Sequence, residues 1–130
     1  MATRTPEEER NLKHVVDMFY NVLVPLDSSQ VDNYISPNYV QHSQMAAPGV
    51  DSLKAFLNEK HRESTDSQQL LKRSFVDGDH VILHYHVIRF KDDPGFAVID
   101  IFRLENGMIV EHWDCVQEVP TDSPNPNSMF

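Results

Sequence analysis

The chain has 130 residues, enough for one domain with a single core. Hydrophobic residues make up 40% of it, which is ordinary for a globular protein, and no apolar run is long enough to span a membrane. The net charge of −9 repels phosphate groups, so nucleic acid and anionic membranes are excluded as expected partners. The single cysteine, Cys115, and the lack of an apolar N-terminal secretory signal predict a cytoplasmic protein without internal disulfides.

The N-terminal half of the sequence predicts three helices. Residues 6–23 carry apolar side chains at helical spacing, and Thr5 supplies a capping hydroxyl just before them. A short second helix is predicted at residues 28–35, followed by a brief extended piece at residues 38–43. A third helix is predicted from residue 50 to residue 62. Each helix has one apolar face that needs to be covered.

The C-terminal half predicts strands separated by turn residues. The expected strands are residues 70–76, 80–90, 96–104 and 108–117, with turns at Asp77-Gly78, residues 91–95 and Asn106-Gly107. The polar stretch 63–69 is expected to form a turn, and the tail 120–130, rich in Pro and Asn, to be flexible. Together the elements predict one α+β domain, residues 1–130. Its helices would cover one face of a curved antiparallel sheet, and the opposite, concave face would enclose a pocket.

Three polar residues lie among the apolar residues of the last two strands. In a hairpin, Asp100, His112 and Asp114 would share one face with Phe96 and Phe102. Charged side chains seldom lie on an apolar sheet face unless they are paired or used in function. This face is therefore where we expect chemistry.

The pairing of this hairpin depends on the turn at Asn106-Gly107. A two-residue turn would place Asp100 opposite Trp113, whereas a three-residue turn, with Gly107 left-handed, would place Asp100 opposite His112. We favour the second turn because it gathers the polar residues on one side. The polar residues would line the pocket if the other face, with Ile99, Ile101 and Trp113, packs against the helices. Trp113 is interpreted as a core residue or a dimer contact. A slip of one residue would exchange the two faces.

Four segments of the sequence form a recognisable pattern. They are YVQHS at residues 39–43, DGDHVILHYHV at 77–87, VIDIFRLENGMIVEHWDCVQEVP at 98–120 and NPNSMF at 125–130. Together they resemble the SnoaL-like branch of the NTF2-like superfamily, closely over the C-terminal half and in layout over the helical half. The resemblance implies an NTF2-like cone-shaped barrel, with three N-terminal helices on a curved mixed or antiparallel sheet. It also implies a deep apolar pocket and, commonly, a homodimer.

The resemblance also implies a reaction. Characterised members of that branch are polyketide cyclases, which close a ring by an intramolecular aldol condensation, using an aspartate as acid/base and neither metal nor organic cofactor. By resemblance, Asp114 matches that aspartate, and Asp100 lies where a second polar pocket residue is expected. The expected partner is a small apolar keto compound, with no cofactor and no metal.

The residue types suit this chemistry in their own right. A buried carboxylate is a good base for a proton next to a carbonyl, because desolvation raises the carboxylate pKa towards neutrality. A nearby histidine can donate to the enolate oxygen. We assign the base role to Asp114 and an orienting or donor role to His112, while Asp100 either pairs with His112 or acts as a second acid. The competing interpretation is an Asp–His pair that only stabilises the hairpin.

Further residues are candidates for lining the pocket and binding substrate. They are Tyr39, His42, His86, Phe96 and Phe102. His86 would lie beside Asp100 if Phe90 pairs with Phe96 across the loop. A half-buried strand position is the other interpretation of His86, and we favour it for His84.

Three functions remain open from the sequence. The first is a cofactor-independent cyclase-type lyase or isomerase, and the second is a binding protein that uses the same pocket without turnover. The third is a metal-dependent enzyme of cupin type, in which His84, His86 and a carboxylate hold a divalent ion. A sheet that is apolar on both faces also predicts a homodimer.

Overall fold

Helices occupy the N-terminal half of the chain and strands the C-terminal half in this computed structural model, which describes residues 3–63 and 66–130. The helices are α1 (Pro6–Met18), continued by a π-helical turn (Phe19–Leu23), a 3-10 helix (Ser28–Asn33) and α2 (Val50–Glu63). The strands are β1 (Ile35–Gln41), β2 (Gln68–Asp77), β3 (His80–Ile88), β4 (Phe96–Glu105) and β5 (Met108–Glu118). Of the turn predicted at residues 63–69, residues 64 and 65 lie outside the described part. In the described part, none of the helices is both long and apolar enough to cross a membrane.

The first helix begins where the sequence predicts. The Thr5 hydroxyl accepts a hydrogen bond from the Glu8 amide at 3.1 Å, and the Thr5 amide donates to the Glu8 carboxylate at 2.9 Å. This reciprocal cap satisfies two amides that the helix itself leaves unpaired.

The second predicted helix is shorter than expected. It is a 3-10 helix that ends at Asn33, and Ile35 already belongs to β1. The Ile109 amide donates to the Tyr34 carbonyl at 3.0 Å, and Ile35 pairs with Ile109. Pairing with β5 thus extends the chain earlier than local sequence suggests.

The five strands form one open, curved, mixed sheet in the order β1-β5-β4-β3-β2. Strands β2 to β5 form an antiparallel meander, while β1 runs parallel to β5. The predicted α+β class, with helices followed by a curved mixed or antiparallel sheet, is confirmed.

The helices pack on the sheet face that carries Asp100, not on the opposite one. Val98 and Phe102, its neighbours on that face, are buried in the same core cluster as Val15 and Phe19 of the first helical segment. On the other face, by contrast, Ile99 is 45% exposed. Our prediction that the face including Trp113 meets the helices was wrong, because the more continuous apolar set lies on the Asp100 face. The cluster of Asp100, His112 and Asp114, called the polar group below, therefore lies between the sheet and the helices.

The hairpin register also differs from the prediction. The turn has two residues, Asn106 and Gly107, both with positive φ, and Glu105 pairs with Met108. A bulge at Val110 then shifts the pairing by one residue. Beyond the bulge, Asp100 lies opposite Asp114.

Candidate functional site

Asp100 is a nearly fully buried carboxylate with two hydrogen-bond donors. The whole residue is 3% exposed to solvent. The Tyr85 hydroxyl donates to Asp100 Oδ2 at 2.7 Å, and His112 Nε2 lies 2.8 Å from Asp100 Oδ1. Each carboxylate oxygen thus has a partner, which is what a charge buried among apolar residues requires.

His112 lies between two acceptors. Its Nδ1 is 2.7 Å from the amide oxygen of Gln41, its Nε2 faces Asp100, and its ring stacks on Phe102 at 4.8 Å between centroids. Burial by itself lowers the pKa of His112, but the hydrogen bond and charge of Asp100, with the charge of Asp114, outweigh burial and raise the pKa above 6.5. The geometry thus favours the imidazolium form.

Asp114 is the third member of the group and is less buried than Asp100. It is partly exposed and lies directly opposite Asp100 in the hairpin. One side-chain nitrogen or carboxylate oxygen from each of Asp100, His112 and Asp114 lies within 4.8 Å of the other two. Two carboxylates in opposite strand positions repel each other, and a protonated His112 offsets that repulsion. No residue in the described part of the chain donates a hydrogen bond to Asp114.

Tyr85 belongs to the site, and our sequence analysis missed it. Its ring meets Phe19 at 5.0 Å between centroids, which links the polar group to the helical layer. Burial, followed by the negative charge of Asp100, raises the pKa of Tyr85 well above its usual value. The signal was present in β3, where Val81, Leu83 and Tyr85 alternate as apolar residues on one face.

Gln41 was also missed, although its neighbour Tyr39 was predicted. Tyr39 is 7% exposed, and its hydroxyl accepts a hydrogen bond from Gln41 Nε2 at 3.3 Å. Burial raises the pKa of Tyr39. Tyr39 therefore reaches the group through Gln41, which itself contacts His112.

His86 does not lie beside Asp100, which corrects the sequence-based placement. The structure pairs Val87, not Phe90, with Phe96, a difference of three residues. An odd shift moves a side chain to the other face. His86 accordingly lies on the outer face of the sheet, which is the face opposite to Asp100. Its Nε2 is 2.7 Å from the Pro94 carbonyl, and its ring is 4.2 Å from that of Phe130 between centroids.

The rival metal site is not assembled either. His84 pairs with Ile99 and shares the outer face with His86, whereas Asp100 and Asp114 lie on the helix-covered face. The sheet itself separates these histidines from the two carboxylates. His84 also stacks on Phe130, at 5.6 Å between centroids, so the end of the C-terminal tail packs on this face.

His42 is on the outer face as well. Its ring stacks on Trp113 at 4.9 Å between centroids, with an interplanar angle of 3°, and its Nε2 lies 2.7 Å from a Glu111 oxygen. Because Trp113 and His112 are adjacent in β5, their side chains point to opposite faces. His42 is therefore not brought together with Asp100.

The two predicted aromatic residues differ in their relation to the site. Phe102 is 5% exposed and contacts the His112 ring directly. Phe96 lies further along β4, where it packs against the core and the Arg89 guanidinium lies 4.5 Å above its ring. Phe102 helps to hold the imidazole, whereas Phe96 borders the core nearer the loop after β3.

The spacing of Asp100, His112 and Asp114 is also compatible with holding a cation. Both nitrogens of His112 already face protein acceptors, Gln41 and Asp100. A cation would have to displace one of these bonds. The donor set therefore suits a proton better than a metal ion.

Two surface clefts lie away from this group. One, of about 590 Å³, is lined by residues that include Asp66, Ile88 and Phe90. The other, of about 470 Å³, lies on the outer face beside Ile99 and Cys115. These clefts are alternative places where a small molecule could bind.

The chain resembles known proteins both in its sequence family and in its fold. The family model described as a SnoaL-like domain matches residues 16–112, which is more than half of the sequence. The chain belongs to the SnoaL-like domain family. No curated protein matches it in sequence.

Solved structures show the same fold at low identity. A provisionally assigned SnoaL-like polyketide cyclase from Jannaschia sp. CCS1 superposes with a TM-score of 0.73 at 14% identity, covering 89% of this chain and 91% of that one. A provisionally assigned polyketide cyclase from Bacillus cereus ATCC 10987 gives 0.73 at 19% identity, covering 87% and 78%. A SnoaL-like protein of unknown function from Burkholderia thailandensis E264 gives 0.71 at 13% identity, covering 87% and 99%. Such identities establish the fold alone, because one fold hosts many functions.

Proposed function

We propose that this protein is a cofactor-independent acid/base enzyme that acts on a small apolar keto compound. Its reaction would be of the aldol-condensation or cyclase type, as a lyase, or an isomerisation through the same enolate. The single observation that supports this most is a buried Asp100–His112 pair beside Asp114, whose oxygens lack a hydrogen-bond partner in the described chain. The names of the cyclase neighbours point the same way.

Asp114 is the proposed base. It would take a proton from the carbon next to the substrate carbonyl, forming an enolate and a neutral carboxylic acid. The site then holds the same net charge before and after the transfer, because one negative charge moves from Asp114 to the substrate oxygen. A step that does not change the charge of a water-poor site avoids a large desolvation penalty.

His112 is the proposed cation that stabilises the enolate. Its Nδ1 is committed to Gln41, so the Nε2 proton, now bonded to Asp100, is the one that a substrate oxygen can share. Asp100 keeps the imidazole charged and fixes its orientation, and Tyr85 holds Asp100 in turn. Preorganised charge of this kind is commonly the largest contribution to catalysis.

The test uses proton exchange, which does not require the natural substrate. The protein in D2O is incubated with a panel of apolar 1,3-diketones, and loss of the α-proton signal is followed by ¹H NMR. We expect exchange faster than in buffer alone, reduced about 10²–10⁴-fold in Asp114→Asn. Asp77→Asn, an exposed carboxylate at the end of β2, is the matched control and should exchange like wild type. Exchange that persists unchanged in Asp114→Asn would refute the assigned role.

The alternative is a binding protein that uses the same site without turnover. The Asp100–His112 pair would then serve stability and ligand orientation only. Saturable binding of a diketone, without exchange above buffer in any variant, would favour this alternative.

We also propose that the protein is a homodimer in the cytoplasm. The outer face carries exposed apolar side chains on β2 and β4, with Phe75 53%, Ile99 45% and Leu70 37% exposed. Exposed apolar surface spread over several strands of one sheet face is typical of an interface. A second copy of the chain would cover it symmetrically.

A further inference from the structure

The amide group of Gln41 is fixed by contacts on both of its ends. The Ser43 backbone amide donates to Gln41 Oε1 at 3.0 Å, and Gln41 Nε2 donates to the Tyr39 hydroxyl at 3.3 Å. A backbone N–H can only donate, so the end of the amide that faces Ser43 must be the oxygen. That same oxygen lies 2.7 Å from His112 Nδ1.

His112 therefore faces an acceptor at each nitrogen. An amide oxygen cannot donate, so His112 Nδ1 must carry a proton to bond with Gln41. Nε2 faces Asp100 Oδ1 at 2.8 Å, and the Tyr85 hydroxyl donates to the other Asp100 oxygen at 2.7 Å. The hydrogen bond and charge of Asp100 raise the pKa of His112, which keeps the second proton on Nε2.

The groups around His112 come from four strands. Asp100 on β4 and Asp114 on β5 are the charged groups that act on it. Tyr85 on β3 contacts Asp100, and β1 contributes the neutral Gln41 and, behind it, Tyr39. Gln41 is thus the neutral acceptor at Nδ1, and Asp100 is the charged acceptor at Nε2.

We infer that Gln41 is a positioning residue whose amide oxygen, held by the Ser43 amide, keeps His112 in its doubly protonated form. The catalytic meaning of this inference rests on the proposed function; the protonation state itself does not. The bond to Gln41 occupies the Nδ1 proton, so Nε2 is the nitrogen that lies beside Asp100 and the proposed enolate oxygen.

Two substitutions of Gln41 separate positioning from simple packing. Gln41→Met removes the acceptor at similar length, whereas Gln41→Glu keeps an acceptor oxygen and adds negative charge. ¹⁵N-histidine-labelled full-length chains would be titrated by NMR, and His112 identified by the signal that disappears in His112→Gln. Gln44→Met is the matched control, because Gln44 is exposed in the same segment and its side chain donates to the His42 carbonyl, away from His112.

We expect the pKa of His112 to fall in Gln41→Met, to rise in Gln41→Glu and to stay at the wild-type value in Gln44→Met. Equal titration curves for folded Gln41→Met and Gln41→Glu, or a pKa of His112 in Gln41→Glu no higher than in wild type, would overturn the inference. If Gln41→Met does not fold, the comparison of Gln41→Glu with wild type still decides. Because no substrate is present, this result is independent of the α-proton exchange that tests the proposed function.

Discussion

Asp100 shows how this chain keeps a carboxylate inside its core. The side chain is only 4% exposed, and it accepts hydrogen bonds from Tyr85 and His112. A buried charge that loses one partner is strongly destabilising, whereas a fully paired one can be tolerated. The pairing of Asp100 therefore contributes to stability whether or not the site is catalytic.

Asp100→Asn should destabilise the fold by about 1–3 kcal/mol, measured by urea unfolding. Asparagine offers one acceptor oxygen where two donors, Tyr85 and His112, now point, so one donor is left without a partner. Asp32→Asn is the control. Asp32 pairs with Lys54 at the surface with its side chain 70% exposed, and its loss should change stability by less than about 1 kcal/mol. Equal effects of the two substitutions would contradict the buried pair.

The same pair predicts how stability depends on pH. The folded-state pKa of His112 is raised, so the folded chain retains a proton that the unfolded chain releases above about 6.5. The stabilisation is complete below that pH and is lost as pH rises through the folded pKa. Urea midpoints should fall with rising pH in wild type and fall less in Asp100→Asn. The series should end below pH 9, before Tyr85 contributes. A midpoint that rises over this range would contradict the prediction.

The alternating spacing of Asp100, His112 and Asp114 along two strands predicted that they share one sheet face, and the structure does bring them together. Alternation places residues that are two apart on one face, and a register error of two residues leaves that face unchanged. His86 was misplaced because its pairing was wrong by an odd number. The contributions of Gln41 and Tyr85 depend on contacts between strands that no local pattern specifies. The roles assigned to all these residues stay predictions.

At the scale of elements, the loop between β3 and β4 sets the register that brings Tyr85 to Asp100. Asp93 accepts hydrogen bonds from the Arg89 backbone amide at 2.9 Å and the Gly95 amide at 3.1 Å. The Arg89 side chain, followed by these amides, holds the pKa of Asp93 well below its usual range. The loop therefore closes around a charged, hydrogen-bonded turn, whereas the sequence indicated only that a turn exists.

Gly95→Ala should disrupt this loop. Gly95 has φ +80°, and an added Cβ would lie 2.0 Å from the Val87 carbonyl oxygen, so the backbone would have to move. Gly107→Ala is a matched control, because Gly107 has φ +78° with no atom within 4 Å of the added Cβ. The control should cost about 1–2 kcal/mol for its left-handed backbone, and Gly95→Ala clearly more. Equal losses in urea unfolding would show that close packing at Gly95 does not matter.

The chain order of the elements was largely predictable, while the side of the sheet they cover was not. Capping residues, helical spacing and Asn-Gly turns are local signals, and they gave the helices and the hairpin. The parallel pairing of β1 with β5 and the bulge at Val110 are long-range or single-residue features. The choice of helix-covered face depended on packing between distant apolar sets.

At the scale of the whole molecule, the two faces of the sheet have different tasks. The inner face carries the core and the polar group, whereas the outer face exposes apolar side chains and stacks His42 on Trp113. Light scattering at micromolar concentration should therefore report a dimer. Ile99→Lys, which places a charge at the centre of the outer face, should shift the mass towards the monomer. Wild type that is monomeric throughout would contradict the dimer proposal.

The most direct test of the account is to find where a small enolisable ligand binds. A crystal structure with a bound 1,3-diketone should show the ligand between the helices and the sheet, with an oxygen within hydrogen-bonding distance of His112 and its central carbon facing Asp114. A ligand bound instead in the outer cleft beside Ile99 and Cys115, or in the cleft beside Phe90, with the Asp100 side of the sheet unchanged, would contradict it.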